Sequence, residues 1–328
     1  MARIFIVGSG VVGAATGKGL LRAEHEVTFI DTAPRRLDHL RSQDLDARDV
    51  LDLRAERSAF VFLTLPTPST GRGYDLSAFE DGTAAVGRAL AGATEPHVVV
   101  VRSTVPPGTA EGVAQPLLEK HSGRVHGEDF TLASNPEFLR AASAVEDFRH
   151  PWMTVIASRS ARTRERLAAL LAPFGGETRF FANPAQAEFV KCAHNLFNAT
   201  KISFWNEMWL VSRSLGLDLD PVAQTVARSA EASYNPDYGI RGGSPYGGVC
   251  LPKDTRGFLG LAETIGVDMP LLEAVVKVND VLAEESGTGA PSGDGDRIPS
   301  GAGGGPQGGA ENGGQTGAGS DVLTVGAA

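Results

Sequence analysis

Residues 3–21 read RIFIVGSGVVGAATGKGLL. A short apolar run leads into Gly8, Gly10 and Gly13, spaced as G-x-G-x-x-G, and a helix-forming stretch follows. A strand ending on this spacing, with a helix starting from it, is the context in which the motif signals a dinucleotide-binding turn. Gly8 permits the tight turn, Gly10 lets a pyrophosphate approach the backbone, and Gly13 lets helix and strand pack closely. Ser9, Val11 and Val12 complete the loop, whose unpaired amides face the anion at the helix start. Asp31 lies 18 residues after Gly13 and is expected to end the second strand. A carboxylate there accepts ribose hydroxyls and repels a 2′-phosphate, which favours NAD. Arg35 and Arg36 follow closely and keep NADP as the alternative.

Outward from this loop the first half alternates strand and helix signals. Strand-like runs fall at 3–7, 27–31, 60–65, 98–102, 131–134 and 154–157, with helix-like stretches such as 77–90 and 161–171 between them. Continuous β-branched runs separated by amphipathic segments predict a parallel sheet covered on both faces. The expected fold is α/β: a Rossmann-like, doubly wound sheet over 1–182. From 183 the pattern becomes helical. Asn183 is placed as N-cap, Pro184 as first helical residue and Gly216 as the stop of one long helix of about eight turns. Further helix is expected at 221–229 and 257–265, so 183–285 reads as a helical domain carrying the second cysteine of the chain. Residues 286–328 hold 15 of the 40 glycines and are expected to be a disordered tail.

Composition narrows the function. Of 328 residues 42% are hydrophobic and 21% charged, as in soluble globular proteins. A net charge of -9 gives no sign of a nucleic-acid surface. No apolar run is long enough for a membrane span, and no signal peptide is legible. Two cysteines form neither a disulfide framework nor a zinc spacing, so no metal and a reducing, cytoplasmic setting are expected.

One of those cysteines stands in SPYGGVCLPKD, residues 244–254. Cys250 could be a small buried hydrophobe, a metal ligand or a nucleophile. No second cysteine or histidine lies nearby to share a metal. Gly247 and Gly248 permit close approach of a substrate, and Lys253 would favour the thiolate. On the long helix Lys191 and Asn195 are four residues apart and share a face, where both can donate to a developing oxyanion. A lysine snorkelling along a surface helix is the competing reading. Cys192 is expected to pack in the core, and Lys201 to be structural. Glu137 follows an Asn-Pro turn at a strand end, where ligand crevices open, and is a candidate base. Ser103 and Thr104 end another strand at the same crevice.

Taken together, GSGVVG, LPTPST, RSTVPPGT, NPEFL, AEFVKCAHNLFNATKISFWNE and YGGVCLPKD resemble the UDP-glucose/GDP-mannose dehydrogenase family. The resemblance covers most of 1–265. It implies a four-electron oxidation of a nucleotide-sugar primary alcohol to the carboxylate, with two NAD reduced. Cys250 would carry the thiohemiacetal and thioester. Lys191 and Asn195 would stabilise oxyanions, Asp254 would help activate water, Glu137 would serve thioester hydrolysis, and Thr104 would orient water. Gly8–Gly13, Asp31, Arg36, Leu65, Pro66, Thr67, Pro68, Ser103 and Lys253 match cofactor positions. Phe138, Leu139, Tyr246 and Gly247 match substrate positions. A homodimer through the helical domain is implied, for which Phe197, Phe204, Trp205, Met208 and Trp209 would serve as a spine. The family pattern continues into a second α/β, nucleotide-binding domain, which is expected to be missing here. Oxidation of a smaller nucleoside or sugar, or an inactive NAD-binding homologue, are the alternatives that departure suggests.

Overall fold

The structure is a computed structural model that describes residues 1–69, 73–229, 242–248 and 250–287. The Gly-rich segment from 288 onward lies outside the described residues.

Central strands buried on both faces need no polar side, and the sequence shows none. Strands β1 (Arg3–Val7), β2 (Glu26–Ile30), β3 (Ala47–Arg48), β4 (Phe60–Leu63), β5 (His97–Val101), β6 (Phe130–Ser134), β7 (Met153–Ala157) and β8 (Glu177–Phe181) form one sheet in the order β3-β2-β1-β4-β5-β6-β7-β8. Every pairing is parallel except β6 with β7, which meet antiparallel at Ser134 and Ala157. Alternate side chains feed two cores. Phe5, Val61, Val99 and Leu132 point to one face, under helices α3 (Ser77–Ala91) and α4 (Gln115–Ser122), through Phe79, Val86, Leu90 and Leu118. Ile4, Ile6, Phe62 and Val98 point to the other, under α1 (Val11–Arg22), α2 (Pro34–Arg41), α5 (Ala144–Arg149) and α6 (Ala161–Leu171). Helices on both faces of a largely parallel sheet are the expected doubly wound architecture.

Most expected elements are present with ends shifted by one or two residues. Between Asp31 and Phe60 only α2 and the two-residue β3 remain. The edge strand β8 was not expected. Four of its five residues are exposed, so no buried apolar run announced it.

Helix α7 (Pro184–Leu215) has 32 residues. Asn183 caps it, its side-chain oxygen accepting from the Ala185 amide at 3.0 Å, and Gly216 stops it in a left-handed conformation at φ 67°. Near its start Ala187 packs against Val155 and Ala157 of the sheet. Near its end Val211 packs with Ala262 of α9 (Cys250–Thr264) and with Met269, just before α10 (Pro270–Glu285). The Glu207 carboxylate accepts the Leu271 amide at 2.6 Å and the Leu272 amide at 3.3 Å, joining α7 to the start of α10. Between the two ends, residues 195–204 are exposed. Helix α8 (Leu219–Ser229) follows α7.

Candidate active site at the strand ends

The glycine loop is built as its spacing requires. Gly8 has φ 95°, and a Cβ there would stand 2.6 Å from the Thr64 carbonyl oxygen. A Cβ on Gly13 would meet the Gly8 oxygen at 2.0 Å. At Gly10 nothing lies within 4 Å, so the backbone is open to a ligand at the start of α1. Asp31 braces the loop: its carboxylate accepts the Ser9 amide at 2.7 Å, the Ser9 hydroxyl at 2.6 Å and the Ala33 amide at 2.9 Å. Burial alone would push the Asp31 carboxyl up. Those hydrogen bonds and the Arg36 charge outweigh it and hold the group below the ordinary aspartate value. Oδ1, bonded to the Ala33 amide alone, keeps a lone pair for a ribose hydroxyl, whereas Oδ2 is taken up by Ser9 and Arg36. Arg36 lies 3.5 Å from Asp31, so its charge is already partnered rather than reserved for a 2′-phosphate.

A cavity of about 280 Å³ opens over this loop. It is lined by Gly8, Gly10, Val11 and Val12, by Leu65, Pro66 and Thr67 after β4, by Ser103 and Thr104 after β5, and by Arg36, Arg102 and Glu137. Ser103 donates to the Leu65 carbonyl at 2.7 Å and Thr67 to the Thr104 carbonyl at 2.6 Å, which ties the two strand-end loops together. A second space, about 1030 Å³, continues past Asp31 and Leu65 toward α3. The residues therefore fit a dinucleotide: an open glycine backbone for the pyrophosphate, an acid for the ribose and a long groove beside them. Pro68 lines neither space; its carbonyl accepts the Asp75 amide at 2.8 Å.

Glu137 marks the junction with a third cavity of about 490 Å³, which lies between the turn after β6, the entry to β7 and α7. Its carboxylate accepts the Leu139 amide and lies 3.2 Å from the Lys191 ammonium. Lys191 is 5% exposed, with the Phe138 ring 5.4 Å from its nitrogen. The snorkelling reading of this lysine is thereby replaced by a buried ion pair.

Two residues the sequence reading passed over hold this pair in place. Glu188, three residues before Lys191, accepts the Gly108 amide at 2.6 Å, the Ala110 amide at 2.9 Å and the Ser134 hydroxyl at 3.2 Å. It pins α7 to the turn after β5 and to the end of β6. Burial pushes its carboxyl up, and the amide bonds pull it back part of the way. Arg102, 5% exposed, donates to the Thr16 hydroxyl and to Asn135, beside Glu137. Burial lowers its guanidinium to about 10, against the pull of the Glu137 charge. A glutamate one helical turn from the lysine, facing the free amides of the PPGT turn, was the available signal for Glu188.

The remaining expected residues are not gathered here. Asn195 is exposed on α7. Lys253 and Asp254 are exposed and ion-paired with each other. The Tyr246 hydroxyl donates to Thr255 at 3.4 Å, and Gly247 is exposed. Cys250 is the first residue of α9, and its side chain lies outside what the structure describes. None of the three cavities is lined by a described residue from 242 to 248 or from 251 to 264. Cys192 is half-buried, its sulfur 3.6 Å from the Val105 carbonyl. Lys201 is exposed. Among the described residues no group of three or more His, Cys, Asp or Glu could hold a metal, and no helix is long and apolar enough to cross a membrane.

Against known proteins, the chain is 33% identical over 305 residues to the GDP-mannose 6-dehydrogenase of Azotobacter vinelandii, covering 87% of this chain and 70% of that one. The chain belongs to the UDP-glucose/GDP-mannose dehydrogenase family. The family's NAD binding domain matches residues 41–175 and its central domain residues 185–281. The UDP-glucose 6-dehydrogenase AglM of Haloferax volcanii is 32% identical, over 84% of this chain and 69% of its own. The solved ternary complex of GDP-mannose dehydrogenase from Pseudomonas aeruginosa superposes with a TM-score of 0.80 at 28% identity, covering 87% of this chain and 70% of that chain. As a member of this family the chain is an NAD-dependent oxidoreductase, and the first two cavities belong to its cofactor half.

Proposed function

We propose that the chain oxidises the primary alcohol of a nucleotide sugar to the carboxylate, in the manner of a UDP-glucose 6-dehydrogenase, with residues 1–182 binding the cofactor and 183–285 supplying the reactive groups. The observation that carries the reading is the buried Lys191–Glu137 pair, whose Glu137 lines both the cavity over the dinucleotide loop and the cavity beside α7. NAD, held by the open glycine loop and Asp31, would supply the hydride acceptor for the substrate carbon. As the alcohol carbon gives up that hydride, its hydroxyl oxygen would lose a proton to a base, and an ammonium next to that oxygen would stabilise the charge that develops. Lys191 fills that role, with Asn195 joining it. The first oxidation leaves an aldehyde. The Cys250 thiol adds to it, forming a carbon–sulfur bond and a thiohemiacetal that prevents escape of the aldehyde. A second hydride, for which a second NAD would be the acceptor, and the hydroxyl proton, passing to a base, would leave the thiohemiacetal as a thioester. Water, activated by Glu137 and Asp254 and oriented by Thr104, releases the acid and restores the thiol. Phe138, Leu139, Tyr246 and Gly247 hold the substrate, and Lys253 and Ser103 the nicotinamide side. The exposed apolar residues of α7, Phe197, Phe204 and Trp209 among them, support a homodimer.

Purified full chain with NAD and UDP-glucose, GDP-mannose or UDP-N-acetyl sugars tests this. Two NADH per sugar, measured by absorbance and product quantification, is the expected stoichiometry. Cys250→Ser should stall after the first oxidation. Unchanged turnover in that variant would mean a simple two-electron alcohol dehydrogenase, and NAD binding without turnover on any sugar would mean a non-catalytic homologue.

A further inference from the structure

The third cavity is not merely the back of the Glu137 turn. Because β7 runs antiparallel to β6, its entry rises past the end of β6, and Trp152 stands at the rim beside Phe138. The Phe138 and Trp152 ring centroids are 5.4 Å apart, and the His194 ring of α7 lies 5.0 Å from Phe138 and 5.7 Å from Trp152. Trp152 and His194 are stacked, with 28° between their planes. Trp152 nevertheless remains 59% exposed, an unusual state for so large an apolar ring beside a concave space. The same cavity carries polar groups suited to hydroxyls: the Asn198 amide, hydrogen-bonded to His194 Nε2 at 3.0 Å, and the Arg140–Asp147 ion pair. Partial burial first, and then the Lys191 charge, lower the His194 pKa, so its ring faces the cavity as a neutral aromatic.

From these placements we infer that Trp152, backed by His194 and Phe138, is the platform on which the sugar ring of the substrate stacks, with Asn198 at its edge. The aromatic face is electron-rich and attracts the polarised C–H face of a pyranose. Distance selects the sugar over the base. Trp152 is two short contacts from the reacting centre: 5.4 Å from the Lys191 nitrogen to the Phe138 ring, then 5.4 Å to Trp152. A pyranose whose oxidised carbon lies at Lys191 spans that interval, whereas its nucleobase lies a diphosphate further on. The inference rests on the nucleotide-sugar reading above and adds residues and a specificity role to it.

The test separates the two. Full-length wild type and Trp152→Phe are titrated without NAD, so that no turnover occurs, using UDP-glucose, GDP-mannose, UDP and GDP. The difference in tryptophan fluorescence between the two proteins isolates Trp152. A saturable change with a sugar nucleotide, absent with UDP and GDP, is the expected result. An equal change with the bare diphosphates would place the base at the platform and overturn the assignment. In turnover, Trp152→Ala should raise KM for the sugar nucleotide about 3- to 10-fold with kcat nearly unchanged, and Trp152→Phe should restore most of it. NADH formation with no change in KM and no fluorescence response would sink the platform and leave the dehydrogenase reading standing. A fluorescence response without NADH would do the reverse.

Discussion

The sheet half and the helical half of the molecule are finished to different degrees. In the sheet, Ile4, Phe62, Val98 and Val155 are 0% exposed, sealed between two helical layers. On α7, Leu196, Phe197 and Ile202 stand 66%, 64% and 62% exposed around the middle of the helix. The cofactor loop is likewise complete in itself, with Asp31, Ser9 and Arg36 already bonded to one another. After Cys250, Lys253 and Asp254 are exposed and ion-paired with each other. The lesson is that the dinucleotide loop is braced within a closed core, whereas the middle of α7 and the residues after Cys250 lie on the surface.

That contrast can be broken most sharply at the seam. Lys191→Met should lower the rate of NADH formation about 10²–10³-fold while NAD affinity, measured by titration, stays the same. A parallel loss of NAD affinity would show that the halves are not separable. Next in size is the double variant Phe197→Glu with Ile202→Glu. It should weaken self-association about 100-fold or more, seen as a shift to monomer in light scattering, with the melting of the sheet half unchanged. Within the core, Gly13→Val places a side chain where the Gly8 oxygen stands. It should cost about 1–3 kcal/mol in denaturant melts and abolish NAD binding. A neutral outcome would mean that the loop can open without penalty.

The smallest effect is on pH. His97 is 1% exposed; its Nδ1 accepts the Ala59 amide at 3.1 Å and its Nε2 has no partner. Burial outweighs the opposing pull of the Glu56 charge and, with Arg166, holds its pKa below the ordinary histidine value. The unfolded chain then binds the proton more readily than the folded one. Stability is full above about pH 6.5 and declines as pH falls toward the lower folded value. The thermal midpoint should drop by a few degrees between about pH 7 and pH 5, and a flat profile would count against a neutral buried imidazole.

Much of this was readable beforehand because certain residues admit few conformations. Gly8 and Gly13 fit only one kind of turn, and Asn183, Pro184 and Gly216 mark both ends of α7 to the residue. The edge strand β8 was not readable, since its side chains face solvent and follow no burial pattern. Neither was the anchoring by Glu188, whose partners are backbone amides some 80 residues away in the chain. Local sequence paired Lys191 with Asn195. Only the folded chain brings Lys191 against Glu137, while Asn195, one turn along α7, is exposed.

Helix α7 is held at its base by Glu188 and carries α9 and α10 at its far end. Its 32 residues make a stiff boom about 48 Å long. A swing of about 5° at that footing moves the tip by roughly 3–4 Å, more than the length of a hydrogen bond. The few contacts at that footing, the Glu188 bonds with the Lys191–Glu137 pair and the Ala187 packing, thus govern the aim of everything hung from the outer end.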